Sequence, residues 1–236
     1  MQTLLEDDAM ERYLVVFGAR PSAVKLAPVV HALDARGASA AVCLTGQHGR
    51  EMLDLDTLGL YPAYQREQAG GDVVSRLANM ARFVGDVLRE RPGFAGVIVV
   101  GDTISGMAGA LAGAYADVPV AHVEAGLRTG AREPWPEEMT RRAIDTMAHW
   151  HFAPTPIARR NLRSEGLPVE RLHIVGNTVV DSLKNMGVKR FTPDRPTVLV
   201  TIHRRENWSH IRRIAETVRK LAELHIGVRF AWPVHP

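Results

Sequence analysis

The chain has 236 residues, 46% of them hydrophobic and 23% charged, enough for the core of one large α/β domain and too apolar for a disordered chain. No run approaches eighteen apolar residues, the acidic opening MQTLLEDDAMER has no apolar signal core, and Cys43 stands alone. We therefore expect a cytoplasmic protein with no membrane span, no secretory leader and no internal disulfide.

The basic residues need a closer look. Twenty-five of the 29 are arginine, so a net charge of only +3 accompanies a pI near 9.3. They alternate with acids along the helical stretches, as in HIRRIAETVRKLAE, instead of clustering on one face. Nucleic acid is not an expected partner, whereas an anionic small molecule stays open.

In chain order, YLVVFG (13–18) reads as a strand, followed by a helix with Pro21 in its first turn. SAAVCLT (39–45) is the next strand, leading to a helical stretch near Glu51. GGDVVSRLANMARFVGDVLRERPG has apolar positions at three- and four-residue spacing and predicts a long amphipathic helix. GVIVV (96–100) suits a strand buried on both faces, and the Gly/Ala-rich TISGMAGALAGAYA suits a helix packed closely on the sheet. PVAHV (119–123) and HFAP (151–154) are further strands, with a helix on WPEEMTRRAIDTMAHW between them. LHIVG (172–176) and a short helix close the series before a Pro/Arg/Lys-rich linker near MGVKRFTPDRP. TVLVTIH (197–203), a helix over 208–225 and VRFAWPV (228–234) begin another α/β unit.

Strands alternating with helices imply a Rossmann-like parallel sheet with helices on both faces. In such sheets ligands sit beyond the carboxyl ends of the strands. Those ends are rich in reactive groups here: Gly18-Ala19-Arg20, Thr45-Gly46-Gln47-His48, Gly101-Asp102-Thr103, Glu124-Ala125-Gly126 and His203-Arg204-Arg205-Glu206. Each has a plainer reading. Asp102 stands where an N-cap is common, and Glu137 and Glu138 follow Pro136 in a first turn where acids suit the helix dipole. His48, His122 and His203 could each be a hydrogen-bonded histidine at a strand end. The sequence has no metal-ligand spacing, P-loop, nucleophile elbow or GxGxxG after the first strand, and Cys43 reads as core.

The ordered set FGARPSAVKLAPVV, TGQHGREML, GDTISGMAGALA, PVAHVEAGLRTG, PWPEEMTRRAID, HFAPTPIARRNL, GNTVVDSL and VTIHRRENW is far more specific. From about Tyr13 to Pro236 it resembles the bacterial non-hydrolysing UDP-N-acetylglucosamine 2-epimerases. The resemblance implies two Rossmann-like domains in a GT-B-type arrangement, the second only begun here. It implies interconversion of UDP-N-acetylglucosamine and UDP-N-acetylmannosamine for surface polysaccharide synthesis. The family's route is anti elimination of UDP to 2-acetamidoglucal and re-addition, which needs no cofactor. It needs acid/base groups around C2 and a cationic cradle for the diphosphate. The matching positions are Asp102, Glu124, Glu137 and His203 as catalytic groups, and Arg20, Lys25 and Arg204 for substrate binding. Gln47, His48 and Arg141 match the cleft or an adjoining allosteric UDP-sugar site.

Expected partners are a UDP-sugar and, as a homodimer, a second copy of the chain. Expected boundaries are an extension over 1–12, a Rossmann-like domain over 13–186 and the start of a second nucleotide-binding domain over 187–236. Family members continue beyond the point matching Pro236, so the resemblance also implies that these 236 residues alone lack activity. The alternatives are a hydrolysing or modified-UDP-hexosamine 2-epimerase, and a non-catalytic truncated remnant.

Overall fold

The computed structural model describes residues 10–68, 70–187, 192–202 and 205–233. Residues group into two compact units, Met1–Gly187 and Val188–Pro236. Within the first, strands β1 (Arg12–Phe17), β2 (Ser39–Leu44), β3 (Pro62–Gln65), β4 (Phe94–Val100), β5 (Val120–Val123), β6 (Trp150–Ala153) and β7 (Leu172–Ile174) alternate with helices. These are α1 (Arg20–Asp34), α2 (Val73–Glu90), α3 (Ile104–Tyr115), α4 (Glu137–Met147), α5 (Pro156–Ser164) and α6 (Val179–Asn185). The seven strands form one sheet in the order β3-β2-β1-β4-β5-β6-β7, parallel throughout.

The sheet is buried on both faces, which is why its central strands read as unbroken apolar runs. In β1 the side chains of Val15 and Phe17 join the core that includes Leu26 and Val30 of α1. Those of Leu14 and Val16 point the other way, to Val84 and Val87 of α2 and Ala110 of α3. The small residues of α3 let it lie tightly on the sheet: a Cβ at Gly109 would stand 2.8 Å from Val99 Cγ1 and 3.0 Å from Val16 Cβ. Gly109→Val is accordingly expected to lower unfolding free energy by about 1–3 kcal/mol through overpacking, read from the urea midpoint.

Helix starts follow local chemistry. Asp72 accepts from Ser75 N at 2.8 Å to cap α2, and Thr155 accepts from Ala158 N at 3.1 Å to cap α5. Two elements were not foreseen, β3 and α5, and the stretch near Glu51 is one 3-10 turn, Arg50–Met52, not a longer helix. Cys43 is fully buried, and burial pushes its thiol up to about 12, so it is a core residue.

The second unit consists of β8 (Thr197–Leu199), a 3-10 turn over Arg205–His210, α7 (Ile211–Leu224) and β9 (Arg229–Ala231), with β8 and β9 parallel. None of its described residues is buried. Val198 is exposed, and Val200, Phe230 and Trp232 are half-buried. Among the described residues no helix is long and apolar enough to cross a membrane.

Candidate active site

The strand order reverses between β1 and β4, and the polar groups gather at the carboxyl ends of β4, β5 and β7. Gly101 follows β4 with φ +66°, and a Cβ there would stand 3.2 Å from Glu124 Oε2. Glycine therefore lets the β4 turn lie directly against the Glu124 carboxylate. Glu124 itself follows β5 with φ +68°, in the left-handed region where a non-glycine residue costs of order 1–3 kcal/mol. That backbone aims its carboxylate at two partners. Lys25 Nζ of α1 lies 2.5 Å from Oε2, and Asn177 Nδ2, beyond β7, donates to Oε1 at 2.8 Å. The Lys25–Glu124 pair is largely shielded from solvent.

Asp102 is not the helix cap. Thr103 takes that place, its Oγ1 accepting from Gly106 N at 3.1 Å, and Asp102 instead pairs with Arg141 of α4. Arg141 also donates to Glu138 Oε2 at 3.3 Å. Glu138 is buried and accepts from Thr129 N and Arg142 as well, so it braces α4 against the 129 loop. Glu137, one residue earlier, is half-buried with no ion pair among the described residues.

The remaining positions divide. Gln47 turns its Oε1 inward to Ser105 N at 3.2 Å and Ser105 Oγ at 2.6 Å, tying the β2 end to the start of α3. His48 is half-buried beside it, and its Nδ1 has no partner among the described residues. Arg20 is turned to Asp54 at 3.4 Å, both well exposed, a contact worth at most about 1 kcal/mol. It is not drawn into the Lys25–Glu124–Asn177 cluster. His203 and Arg204 lie outside the described residues. Among the described residues, no three or more His, Cys, Asp or Glu side chains are placed to hold a metal ion.

The Epimerase_2 family model, described as UDP-N-acetylglucosamine 2-epimerase, matches residues 31–236. The chain belongs to the UDP-N-acetylglucosamine 2-epimerase family. It is 38% identical over 248 residues to the UDP-N-acetylglucosamine 2-epimerase of Yersinia pestis, covering 95% of this chain and 65% of the relative. A solved UDP-GlcNAc 2-epimerase from Neisseria meningitidis, bound to UDP-GlcNAc, superposes with a TM-score of 0.86 at 34% identity, over 95% of this chain and 66% of that one. The Methanocaldococcus jannaschii epimerase in complex with UDP-GlcNAc and UDP gives 0.82 at 31%, over 96% and 66%. This member of the 2-epimerase family thus spans about two thirds of the length of the curated relatives it matches.

The sequence reading missed Asn177 and the buried charges behind the site. Asp145 of α4 carries His122, Arg128 and Gly126 N on its carboxylate. Burial alone would raise its pKa, yet His122 and Arg128 hold it below the usual carboxylate range. Glu138 is likewise held low, burial being outweighed by Thr129, Arg142 and Arg141. Burial pushes His151 down from its ordinary value.

These shifts share one sign. Below about pH 6.5 the unfolded chain protonates the histidine that the fold keeps neutral, and below about pH 4 it protonates carboxylates that the fold keeps ionised. In both windows the unfolded state binds more protons, so stability falls as pH falls. Urea unfolding should give a first decline from His151 as pH falls below about 6.5 and a steeper one below about pH 4. Stability that stays flat down to about pH 3 would contradict both assignments.

Proposed function

We propose that the protein interconverts UDP-N-acetylglucosamine and UDP-N-acetylmannosamine in the cytoplasm, as a homodimer, by anti elimination of UDP to 2-acetamidoglucal and re-addition. The observation that carries the reading is Glu124, held in a left-handed backbone conformation between Lys25 and Asn177 and against the turn bearing Asp102. Strain retained at a carboxylate on the ligand-binding edge of a parallel sheet favours function over packing.

Inversion at C2 removes a proton from one face and returns one to the other, so two acid/base groups are needed. Asp102 and Glu124 follow neighbouring strands, β4 and β5, and supply that pair, with Glu137 and His203 completing the set. Arg20, Lys25 and Arg204 provide cationic charge for the departing diphosphate. Gln47, His48 and Arg141 are assigned to the cleft or to an adjoining allosteric UDP-sugar site.

The test uses a full-length version turning over UDP-N-acetylglucosamine in heavy water, followed by proton NMR. We expect deuterium at C2 of the recovered sugar nucleotides. A product that keeps its original C2 hydrogen, or deuterium at C4 alone, would sink the reading. Free N-acetylmannosamine as the product would move the assignment to a hydrolysing 2-epimerase.

A further inference from the structure

Behind the acid/base pair, α4 presents Glu138, Arg141 and Asp145 at three- and four-residue spacing, on one helix face. Arg141 holds the Asp102 carboxylate directly. One turn on, Asp145 acts on the neighbouring residue through a fully buried histidine. Its Oδ1 lies 2.6 Å from His122 Nδ1, and His122 Nε2 lies 2.8 Å from the carbonyl oxygen of Gly101. A carbonyl can only accept, so the Nε2 proton belongs to the ring and is donated to Gly101.

Gly101 is therefore tethered to β5 at both of its backbone polar groups, since Gly101 N also donates to Val123 O at 3.0 Å. Asp145 reaches round the other side as well, its Oδ2 accepting from Gly126 N at 3.2 Å and from Arg128 Nη2 at 2.8 Å. His151, paired with His122 across β5 and β6, donates from Nε2 to the Asp145 carbonyl at 2.8 Å and fixes that residue in turn. Glu124 lies between the two anchored points, residues 122 and 126. His122 thus links α4, through the Asp145 carboxylate, to the β4 turn, through the Gly101 carbonyl.

We propose that His122 is a positioning residue that, braced by Asp145, holds the Gly101–Asp102 turn against Glu124 and so sets the spacing of the acid/base pair. The inference rests on the proposed roles of Asp102 and Glu124. Small displacements of reacting groups are costly, which gives such a tether its effect on rate.

The side chains of Asn and Gln separate the two ring contacts. Asn reaches only as far as Nδ1 and can serve Asp145, whereas Gln reaches as far as Nε2 and can serve the Gly101 carbonyl. In a full-length version, His122→Asn is expected to lower kcat on the order of a hundredfold with KM changed by less than about threefold. His122→Gln should stay within about tenfold of the parent kcat, although both variants melt lower. A parent-like kcat in His122→Asn, or an equal loss in the two variants, overturns the proposal.

Histidine-selective ¹⁵N–¹H NMR of the unsubstituted chain tests the contact even if His122→Asn does not fold. A slowly exchanging Nε2–H on His122 is expected, and a bare Nε2 overturns the tether. A full-length parent that fails to epimerise UDP-N-acetylglucosamine would remove the functional reading, while the NMR result would still decide the Gly101 contact.

Discussion

Asp102→Asn and Glu124→Gln, each in a full-length version, are expected to reduce turnover on the order of a hundredfold or more while UDP still binds. The substitutions keep shape and remove charge, so they isolate proton transfer from packing. In Glu124→Gln, Asn177 can still donate to the amide oxygen, but Lys25 loses the anion that now lies 2.5 Å from it. In Asp102→Asn, Arg141 keeps Glu138 as a partner, so α4 stays braced and the loss reports on Asp102 itself. A hundredfold loss corresponds to about 2.7 kcal/mol of transition-state stabilisation. That is well above the at most about 1 kcal/mol expected from disturbing an exposed ion pair such as Arg20–Asp54. Isothermal calorimetry with UDP alongside the kinetics separates a catalytic loss from a binding loss. Near-parent turnover in both variants would remove these carboxylates from the mechanism.

Strands buried on both faces announce themselves by composition, and β1 and β4 were readable for that reason. Edge strand β3 was not, because PAYQ is short, half-exposed and begins with proline, a residue that suits an edge and weakens the strand signal. Helix α5 was hidden by PIARRNLRS, whose only buried members are Ala158 and Leu162; the Thr-Pro pair at its start was the available signal.

At the site, the strand-end rule drew attention to Asp102 and Glu124 among several strand-end groups, and the family resemblance assigned them catalytic roles. It could not say which residue caps α3, since Asp102 and Thr103 are both good caps and only the backbone decides between them. The Glu138, Arg141, Asp145 spacing is visible in PEEMTRRAID, but their partners are not. Asp102, Thr129 and His122 come within reach of α4 only after the sheet has formed in its particular strand order. Asn177 sits 53 residues from Glu124 and was lost for the same reason.

The second unit carries the other large expected effect. Two parallel strands of three residues each, with one helix and no buried residue among those described, cannot match the protection of a seven-stranded sheet covered on both faces. In hydrogen exchange read by mass spectrometry, amides of β8 and β9 should exchange more than about a thousandfold faster than those of β1 and β4, whose opening requires unfolding of the whole unit. Val198 and Leu199 are exposed on β8, and so short a sheet offers unpaired edges, so the 236-residue chain should also self-associate as its concentration rises. The two measurements constrain each other. Fast exchange in a chain that remains a monomer would mean that the open edges are too short to recruit a second copy. Slow exchange of β8 and β9 in a monomer would contradict the exposure of Val198 and Leu199. Slow exchange that appears only with self-association would identify another copy as the cover, and dilution should then restore the fast rate.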